Sequence, residues 1–143
     1  MDAVELVLLD RFNWEACLSI QLTPEQESFV PPVLYSLAQA KFESLTAYGV
    51  QYGGEMVGFL MSGQFAGICW LSRVLIDKAH QGQGLGSMAV RQWLRREGQN
   101  PHCREVRTSY AVENYAAANF FKKLGFLPLP DSLEEEIVAR YES

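Results

Sequence analysis

A glycine-rich segment near the middle of the chain, residues 81–86 with the sequence Gln-Gly-Gln-Gly-Leu-Gly, most constrains the fold. It follows an apolar run at 71–76 that is typical of a buried strand, and apolar residues at helical spacing follow it. Glycine at every second position lets the backbone turn so that successive N–H groups point the same way. A helix that begins there adds unpaired N–H groups and the positive end of its dipole. The segment therefore predicts a strand–turn–helix junction that binds a phosphate or pyrophosphate through the main chain.

Two other common phosphate-binding motifs do not fit this segment. A P-loop requires lysine followed by serine or threonine after its last glycine, but Ser87 and Met88 occupy those positions. A Rossmann fingerprint requires glycine or alanine where Ser87 stands, and the acid at the expected distance, Glu105, opens a strand instead of closing one. A tight strand-to-helix turn that binds no ligand is the remaining alternative.

Hydrophobic periodicity and turn residues predict an α+β fold with a mixed, mostly antiparallel sheet flanked by helices. The expected strands are 3–9, 46–52, 55–61, 69–76, 104–110, 126–129 and 135–141. The expected helices are 13–20 capped by Asn13, a stretch opened by the capping box at 23–26, 33–42, 84–97 and 114–124. Glycine-rich turns are expected at 53–54 and 63–67, and a loop at 98–102. The chain has 143 residues and is expected to form a single domain, 1–143.

Two motifs resemble the GNAT superfamily of N-acetyltransferases. Residues 81–86 match the Gln/Arg-x-x-Gly-x-Gly/Ala pattern of the loop that binds acetyl-coenzyme A (acetyl-CoA) in that superfamily. Residues 114–126 resemble its later helix and the strand after it, with Gly125 where a helix C-cap needs a left-handed residue. The resemblance implies that strands 69–76 and 104–110 run parallel and splay apart at their ends.

The same resemblance implies where acetyl-CoA binds. Its pantetheine arm would enter the gap between the splayed strands and pair with the backbone of 74–76, and its pyrophosphate would lie on the amides of the glycine-rich loop. Asn114 would hydrogen-bond the arm, although a role as helix N-cap explains this residue equally well. Lys123 either approaches the nucleotide phosphates or is an exposed helix lysine. The predicted cofactor-binding residues are Val74, Leu75, Ile76, Gln81, Gly82, Gln83, Gly84, Leu85, Gly86, Ser87, Asn114, Phe121 and Lys123.

Further stretches resemble the bacterial spermine/spermidine N-acetyltransferases within this superfamily. The most particular is the block 29–40, in which Val33 stands where that branch usually has asparagine. The resemblance implies an enzyme that transfers acetyl directly to a primary amine, with a polyamine such as spermidine or spermine as acceptor. The enzymatic alternative is another amine, such as an aminoglycoside, an amino acid or a protein N-terminus. The non-enzymatic alternative is an acetyl-CoA-binding sensor.

The position that corresponds to the usual proton donor of the superfamily is changed in this chain. The departing thiolate can take a proton from a nearby acid, often a tyrosine in the superfamily, but here the matching residue is Phe121. Tyr110, near the end of strand 104–110, is the predicted substitute, and Tyr115 is a weaker candidate. Water is an alternative acid, in which case Phe121 is a core aromatic residue.

A general base is also needed, because an alkyl amine with a pKa near 10 must lose a proton before it attacks the thioester. Strand 69–76 carries no carboxylate, so the predicted bases are Asp77 at its end and Glu113 at the edge of the later strand. A surface charge with no catalytic role is the alternative for both. Glu27 and Glu43 could help to form an acidic acceptor pocket. Arg73 either pairs with one of these four acids or points into the acceptor site.

Composition excludes several classes of partner. The net charge of −5 argues against nucleic acid or an anionic membrane, and no apolar run is long enough to span a membrane. The first residues lack the basic region of a secretory signal, so a cytoplasmic location is expected. The three cysteines have no metal-ligand spacing, and we expect no metal site. The expected partner is a small-molecule amine, and a homodimer is compatible with these features.

Overall fold

The computed structural model of the chain describes residues 3–97, 99–130 and 135–142, and the predicted loop residue Gly98 lies outside them. The described strands are β1 (Glu5–Leu8), β2 (Thr46–Tyr52), β3 (Glu55–Phe65), β4 (Ile68–Ile76), β5 (Glu105–Ala111), β6 (Phe126–Pro128) and β7 (Glu136–Tyr141). The helices are α1 (Pro24–Glu27), α2 (Val33–Phe42), α3 (Leu85–Glu97) and α4 (Tyr115–Leu124), with short 3₁₀ helices at Trp14–Ser19 and Lys78–His80.

The described strands form one sheet in the order β1-β2-β3-β4-β5-β7-β6. Strands β4 and β5 are parallel, and the other neighbouring pairs are antiparallel. Helices flank the sheet, and the predicted α+β class is confirmed. The capping box is present, since Thr23 accepts from the N–H of Gln26 and Gln26 accepts from the N–H of Thr23.

The two parallel strands separate halfway along their length. Residues Ile68–Leu71 of β4 pair with Glu105–Thr108 of β5, and the Thr108 hydroxyl donates to the Leu71 carbonyl over 2.8 Å where this pairing ends. Beyond that point β5 keeps its pairing with β7 on its other edge, a pairing that begins at Arg107, and β4 continues along β3. The predicted splay is confirmed, and it opens at the carboxyl end of β4.

A β-bulge contributes to the separation. Met61 of β3 pairs with Arg73, but the next residue, Ser62, pairs with Leu71, so β4 carries the extra residue Ser72. A bulge bends its strand and increases the local twist. The bend lies where β4 leaves β5, so the local backbone geometry of β4 accounts for part of the opening.

Two separate apolar cores cover the two faces of the sheet. The first contains Trp93, which is fully buried, and packs α3 and α4 against the sheet. The second contains Phe59, Met61 and Cys17 and lies under α2 and the first 3₁₀ helix. The cleft described below is lined by residues of α3 and α4 from the first core and by Leu22, Val30 and Leu75 from the second.

Arg73 lies on the face of the second core. Its guanidinium donates to the Ser36 hydroxyl over 3.1 Å and to the Gln39 side-chain oxygen over 2.7 Å, which links β4 to α2. Burial lowers the pKa of this guanidinium. Arg73 therefore connects β4 to α2, and neither Asp77 nor Glu113 is its hydrogen-bond partner.

Two local predictions were wrong. The helix predicted from Asn13 is a 3₁₀ helix that Asn13 does not cap, because its side chain accepts from the Asp10 N–H and donates to the Leu8 carbonyl. The strand predicted to end at Met61 runs on to Phe65, since the bulge lets the pairing with β4 continue. Gly63 lies within β3 instead of in a turn, and a Cβ there would lie 2.4 Å from the Leu45 Cδ2.

Candidate functional site

A cleft of about 420 Å³ occupies the gap where β4 and β5 separate. Its wall on one side is the carboxyl end of β4 with the glycine-rich loop, and on the other side it is the start and inner face of α4. The residues that line it are Leu22, Gln26, Val30, Val74, Leu75, Ile76, His80, Gln81, Gly82, Gly84, Leu85, Gly86, Ser87, Asn114, Ala116, Ala117, Phe120 and Phe121. Most of the predicted cofactor-binding residues are therefore together in one cleft.

The glycine-rich loop has the backbone conformation that its sequence predicts. Gly82 and Gly84 have φ of +81° and +80°, a backbone region that residues other than glycine rarely adopt. A Cβ at either position would meet nothing within 4 Å, so it would project into open space at the loop. The α3 helix begins at Leu85, and its first turn leaves N–H groups without intrahelical partners. The loop thus combines free amides with room for an anionic group beside them.

Gln81 holds this loop in place. Its side-chain amide donates to the Ile76 carbonyl over 2.8 Å and to the Gln26 side-chain oxygen over 2.9 Å. Gln26 belongs to the capping box of α1, so the loop is attached to the N-terminal part of the chain as well as to β4. The sequence identified Gln26 only as a helix-start residue, because its contact with the loop joins positions 55 residues apart.

Asn114 lies at the start of α4, where its side-chain oxygen accepts from the Ala117 N–H over 3.1 Å. It is therefore the N-cap of this helix, and its side-chain NH₂ is left to donate to other acceptors or to a ligand. The residue also lines the cleft. At the other end, Gly125 has φ of +104° and forms the expected left-handed C-cap of α4.

Five predicted site residues lie outside the cleft lining. Gln83 and Lys123 are exposed, and Glu113 is exposed in the turn before α4. Tyr110 is 9% exposed and stacks on Phe121 with ring centroids 5.9 Å apart, so it lies directly behind a residue of the cleft wall. Burial raises the pKa of the Tyr110 phenol, which favours its protonated form.

Asp77 is also outside the lining, at the turn between β4 and the glycine-rich loop. One carboxylate oxygen accepts from the Gln21 N–H over 2.8 Å, and the other accepts from the Ala79 N–H over 3.1 Å. The hydrogen bond from Gln21 is the main cause of a pKa below the usual range for this carboxyl, and that from Ala79 adds to it. These bonds hold the turn that leads into the loop.

We expect Asp77→Asn to lower the free energy of unfolding at pH 7 by about 1 kcal/mol, because an amide replaces a hydrogen-bonded carboxylate. The folded-state pKa is depressed, so the carboxylate contributes its stability above its unfolded pKa and loses it as the pH falls through the folded value. The difference between variant and wild type should therefore shrink below about pH 4. Urea unfolding at several pH values measures it, with Glu113→Gln as the exposed-carboxylate control.

His80 also lines the cleft, and no motif in the sequence singled it out. Its Nδ1 lies 3.5 Å from the Asp77 carboxylate and its Nε2 lies 3.6 Å from the Glu55 carboxylate. The three-residue spacing of Asp77 and His80 within a 3₁₀ turn was the available signal. The sequence did not indicate the contact between His80 and Glu55, because Glu55 begins β3 and is distant from His80 in the chain.

The family of the chain follows from residues 14–126, which match the Acetyltransferase (GNAT) family. The chain belongs to this family, and it is accordingly an acetyltransferase enzyme. The earlier resemblance to the GNAT superfamily is confirmed.

Three known proteins show what this chain resembles. The spermine/spermidine N(1)-acetyltransferase of Bacillus subtilis (strain 168) is 28% identical over 123 residues, which is 80% of this chain and 81% of the relative. The solved spermidine N-acetyltransferase of Vibrio cholerae, in complex with CoA and spermine, has a TM-score of 0.73 at 16% identity and covers 96% of this chain and 93% of its own. A GNAT family acetyltransferase from Elizabethkingia anophelis with acetyl-CoA bound has the same TM-score, 0.73, at 13% identity, with 100% of both chains covered.

Across 3–97, 99–130 and 135–142, none of the helices combines the length and the apolar character that a membrane crossing requires.

Proposed function

We propose that this enzyme transfers acetyl from acetyl-CoA to a primary amine of a small polyamine such as spermidine or spermine. The observation that carries the cofactor assignment is the juxtaposition, in one cleft, of the separated end of β4 and a glycine loop with free amides. The acceptor is inferred from the relative in Bacillus subtilis, whose name specifies spermine and spermidine. The net charge of −5 is compatible with a cationic acceptor.

The residues of the cleft fit acetyl-CoA, which supplies the acetyl thioester when bound. Val74–Ile76 are the part of β4 that, among the described residues, has β3 on one side and no pairing with β5 on the other. This open edge would bind the amides of the pantetheine arm as a neighbouring strand would. The amides between Gly82 and Ser87 would hold the pyrophosphate, and Asn114 would donate its side-chain NH₂ to the arm.

Proton transfer is assigned to Tyr110, Asp77 and Glu113. Tyr110 would protonate the leaving thiolate from its position behind Phe121, and its raised pKa keeps the proton available at neutral pH. Asp77 and Glu113 would receive the proton of the amine. Neither lines the cleft, so that proton would travel through water.

The proposal is tested by CoA thiol release from acetyl-CoA in the presence of spermidine, spermine and a panel of other amines. The three cysteines of the chain are measured separately and subtracted as background. Release at low polyamine concentration is the expected result. Release with another amine alone, such as an aminoglycoside or an amino acid, would keep the reaction and reject the acceptor.

A second function, an acetyl-CoA-binding sensor without turnover, is favoured by one observation: Phe121 lines the cleft at the position where a tyrosine is common in the superfamily. Binding of acetyl-CoA that no amine of the panel discharges would support it. The coenzyme A thiol, with a pKa near that of cysteine, can leave without full protonation, and we therefore favour the enzyme.

Phe121→Tyr is expected to raise kcat, by up to about tenfold, because it places a phenol in the cleft wall itself. Steady-state kinetics with saturating acetyl-CoA measure the change. The same substitution in a Tyr110→Phe background should restore part of the lost rate, since the two rings are stacked neighbours. An unchanged kcat in both backgrounds would show that proton donation from this wall does not limit the reaction.

A further inference from the structure

We propose that Cys69, Glu97 and Cys103 form a binding site for one Zn²⁺ ion. Their ligand atoms, two sulfurs and a carboxylate oxygen, all lie within 4.8 Å of one another. Cys69 is near the start of β4, Glu97 is the last residue of α3, and Cys103 precedes β5. The cluster is therefore at the amino end of the parallel strands, whereas the acetyl-CoA cleft is at the carboxyl end of β4.

The ligand set and its spacing suit zinc. Zn²⁺ binds cysteine sulfur at about 2.3 Å and carboxylate oxygen at about 2.0–2.2 Å in a tetrahedron, in which two sulfurs are about 3.8 Å apart. The observed spacing of at most 4.8 Å requires side-chain movements of only about 1 Å. Thiolates select zinc over the harder magnesium and calcium ions. Three protein ligands leave the fourth position to water.

The surroundings of the three side chains would allow an ion to reach them and to bind. Cys69 is 1% exposed, but Glu97 and Cys103 are half-buried and form an entry path from the surface. Within the described part of the chain, Glu97 takes part in no ion pair. The Cys103 thiol donates to the Glu105 carbonyl over 3.4 Å, a weak bond that a zinc–sulfur bond would replace.

A bound ion would link three elements at the end of the sheet where β4 and β5 are still paired. Cys69 pairs in register with Val106, so this is where β4 and β5 are held side by side. Cross-linking α3, β4 and the segment before β5 would stabilise the folded chain, because the three ligands lie together only when it is folded. We expect a stabilising role, since the site is remote from the cleft.

A disulfide between the two cysteines is the competing use of the same atoms. It would form one S–S bond from two thiols, with two electrons and two protons passing to an oxidant such as hydrogen peroxide. Disulfide formation does not involve Glu97, whereas a metal ion would bind its carboxylate as a third ligand. The presence of the carboxylate beside both sulfurs is why we favour the metal.

The test is a titration of the reduced, metal-free full chain with Co²⁺ and then Zn²⁺, in a reductant that contains no thiol. We expect one Co²⁺ per chain, with thiolate-to-cobalt charge-transfer absorption and the visible bands of a tetrahedral ion, both removed by stoichiometric Zn²⁺. At a hundredfold excess of free Zn²⁺ over Kd, Tm should rise by roughly 5 to 8 °C. Absence of the charge-transfer band would overturn the proposal.

Variants identify the ligands. Cys103→Ser and Glu97→Gln should each weaken Zn²⁺ binding at least about tenfold, since even the hydrogen-bond partners of metal ligands have effects of roughly 10- to 100-fold. Cys17→Ser is the matched control, because Cys17 is also buried but belongs to the other core, and it should bind Zn²⁺ as the wild type does. Equal binding in the ligand variants, or loss of two free thiols without bound metal, would reject the site.

Discussion

Gly84→Val is expected to weaken acetyl-CoA binding by more than about 100-fold, which corresponds to about 2.7 kcal/mol. Gly84 has φ of +80°, and a β-branched residue there either strains the backbone or moves the loop. The new side chain would also fill the open space beside the loop amides, where a Cβ meets no protein atom within 4 Å. Isothermal titration calorimetry with acetyl-CoA and CoA measures the loss.

Gly53→Val is the matched control for backbone strain. Gly53 has φ of +60° and a Cβ there would also meet nothing within 4 Å, but it lies in the hairpin turn between β2 and β3 and does not line the cleft. Both variants should lose about 1–3 kcal/mol of stability, and only Gly84→Val should lose ligand affinity. If Gly84→Val binds acetyl-CoA as tightly as Gly53→Val does, the glycine-rich loop does not bind the cofactor.

Tyr110→Phe should lower kcat by about 10- to 100-fold while the affinity for acetyl-CoA stays the same. General acids contribute about 10²- to 10⁴-fold, and the low pKa of a thiol leaving group places the effect near the lower limit. The substitution keeps the ring and its stacking on Phe121, so the hydroxyl is the group removed. Pre-steady-state and steady-state rates with the best amine of the panel measure the change.

The pH dependence gives a separate readout for Tyr110. Burial raises its pKa above the usual value near 10, so the phenol stays protonated through neutral pH and its contribution is lost only at more alkaline pH. The wild-type kcat should fall at alkaline pH, and the Tyr110→Phe variant should not show this fall. Tyr141→Phe, a partly buried tyrosine packed on Phe126, is the control and should keep the wild-type profile. An identical profile and rate for wild type and Tyr110→Phe would remove Tyr110 from the mechanism.

The geometry of the glycine-rich loop and of the start of α4 was predictable because it depends on local sequence. Glycines at positive φ, the start of α3 and the N-cap at Asn114 each follow from residues that are close in the chain. The contribution of distant segments to the cleft wall was not predictable in the same way. Gln26 and His80 reach the cleft through contacts with Gln81 and Glu55 that join distant parts of the sequence.

The remaining misjudged elements have a similar explanation. The end of β3 depends on a bulge in β4, opposite β3, and on Leu45 packing where Gly63 has no side chain. The Asn13 side chain forms local bonds with Asp10 and Leu8 instead of capping the helix that follows. Propensity describes what a segment can do alone, and these positions were decided by competing partners.

The sequence by itself determined the family, the α+β class and the glycine loop, because periodicity, turn residues and short motifs act over neighbouring residues. Tertiary structure decided the opening of the cleft, since beyond Leu71 β4 stays paired with β3 and beyond Thr108 β5 stays paired with β7. It also decided that Cys69, Glu97 and Cys103 meet, although their spacing in the chain predicted no metal site. Strand pairing and helix packing bring such distant groups together, and no local pattern encodes the resulting distances.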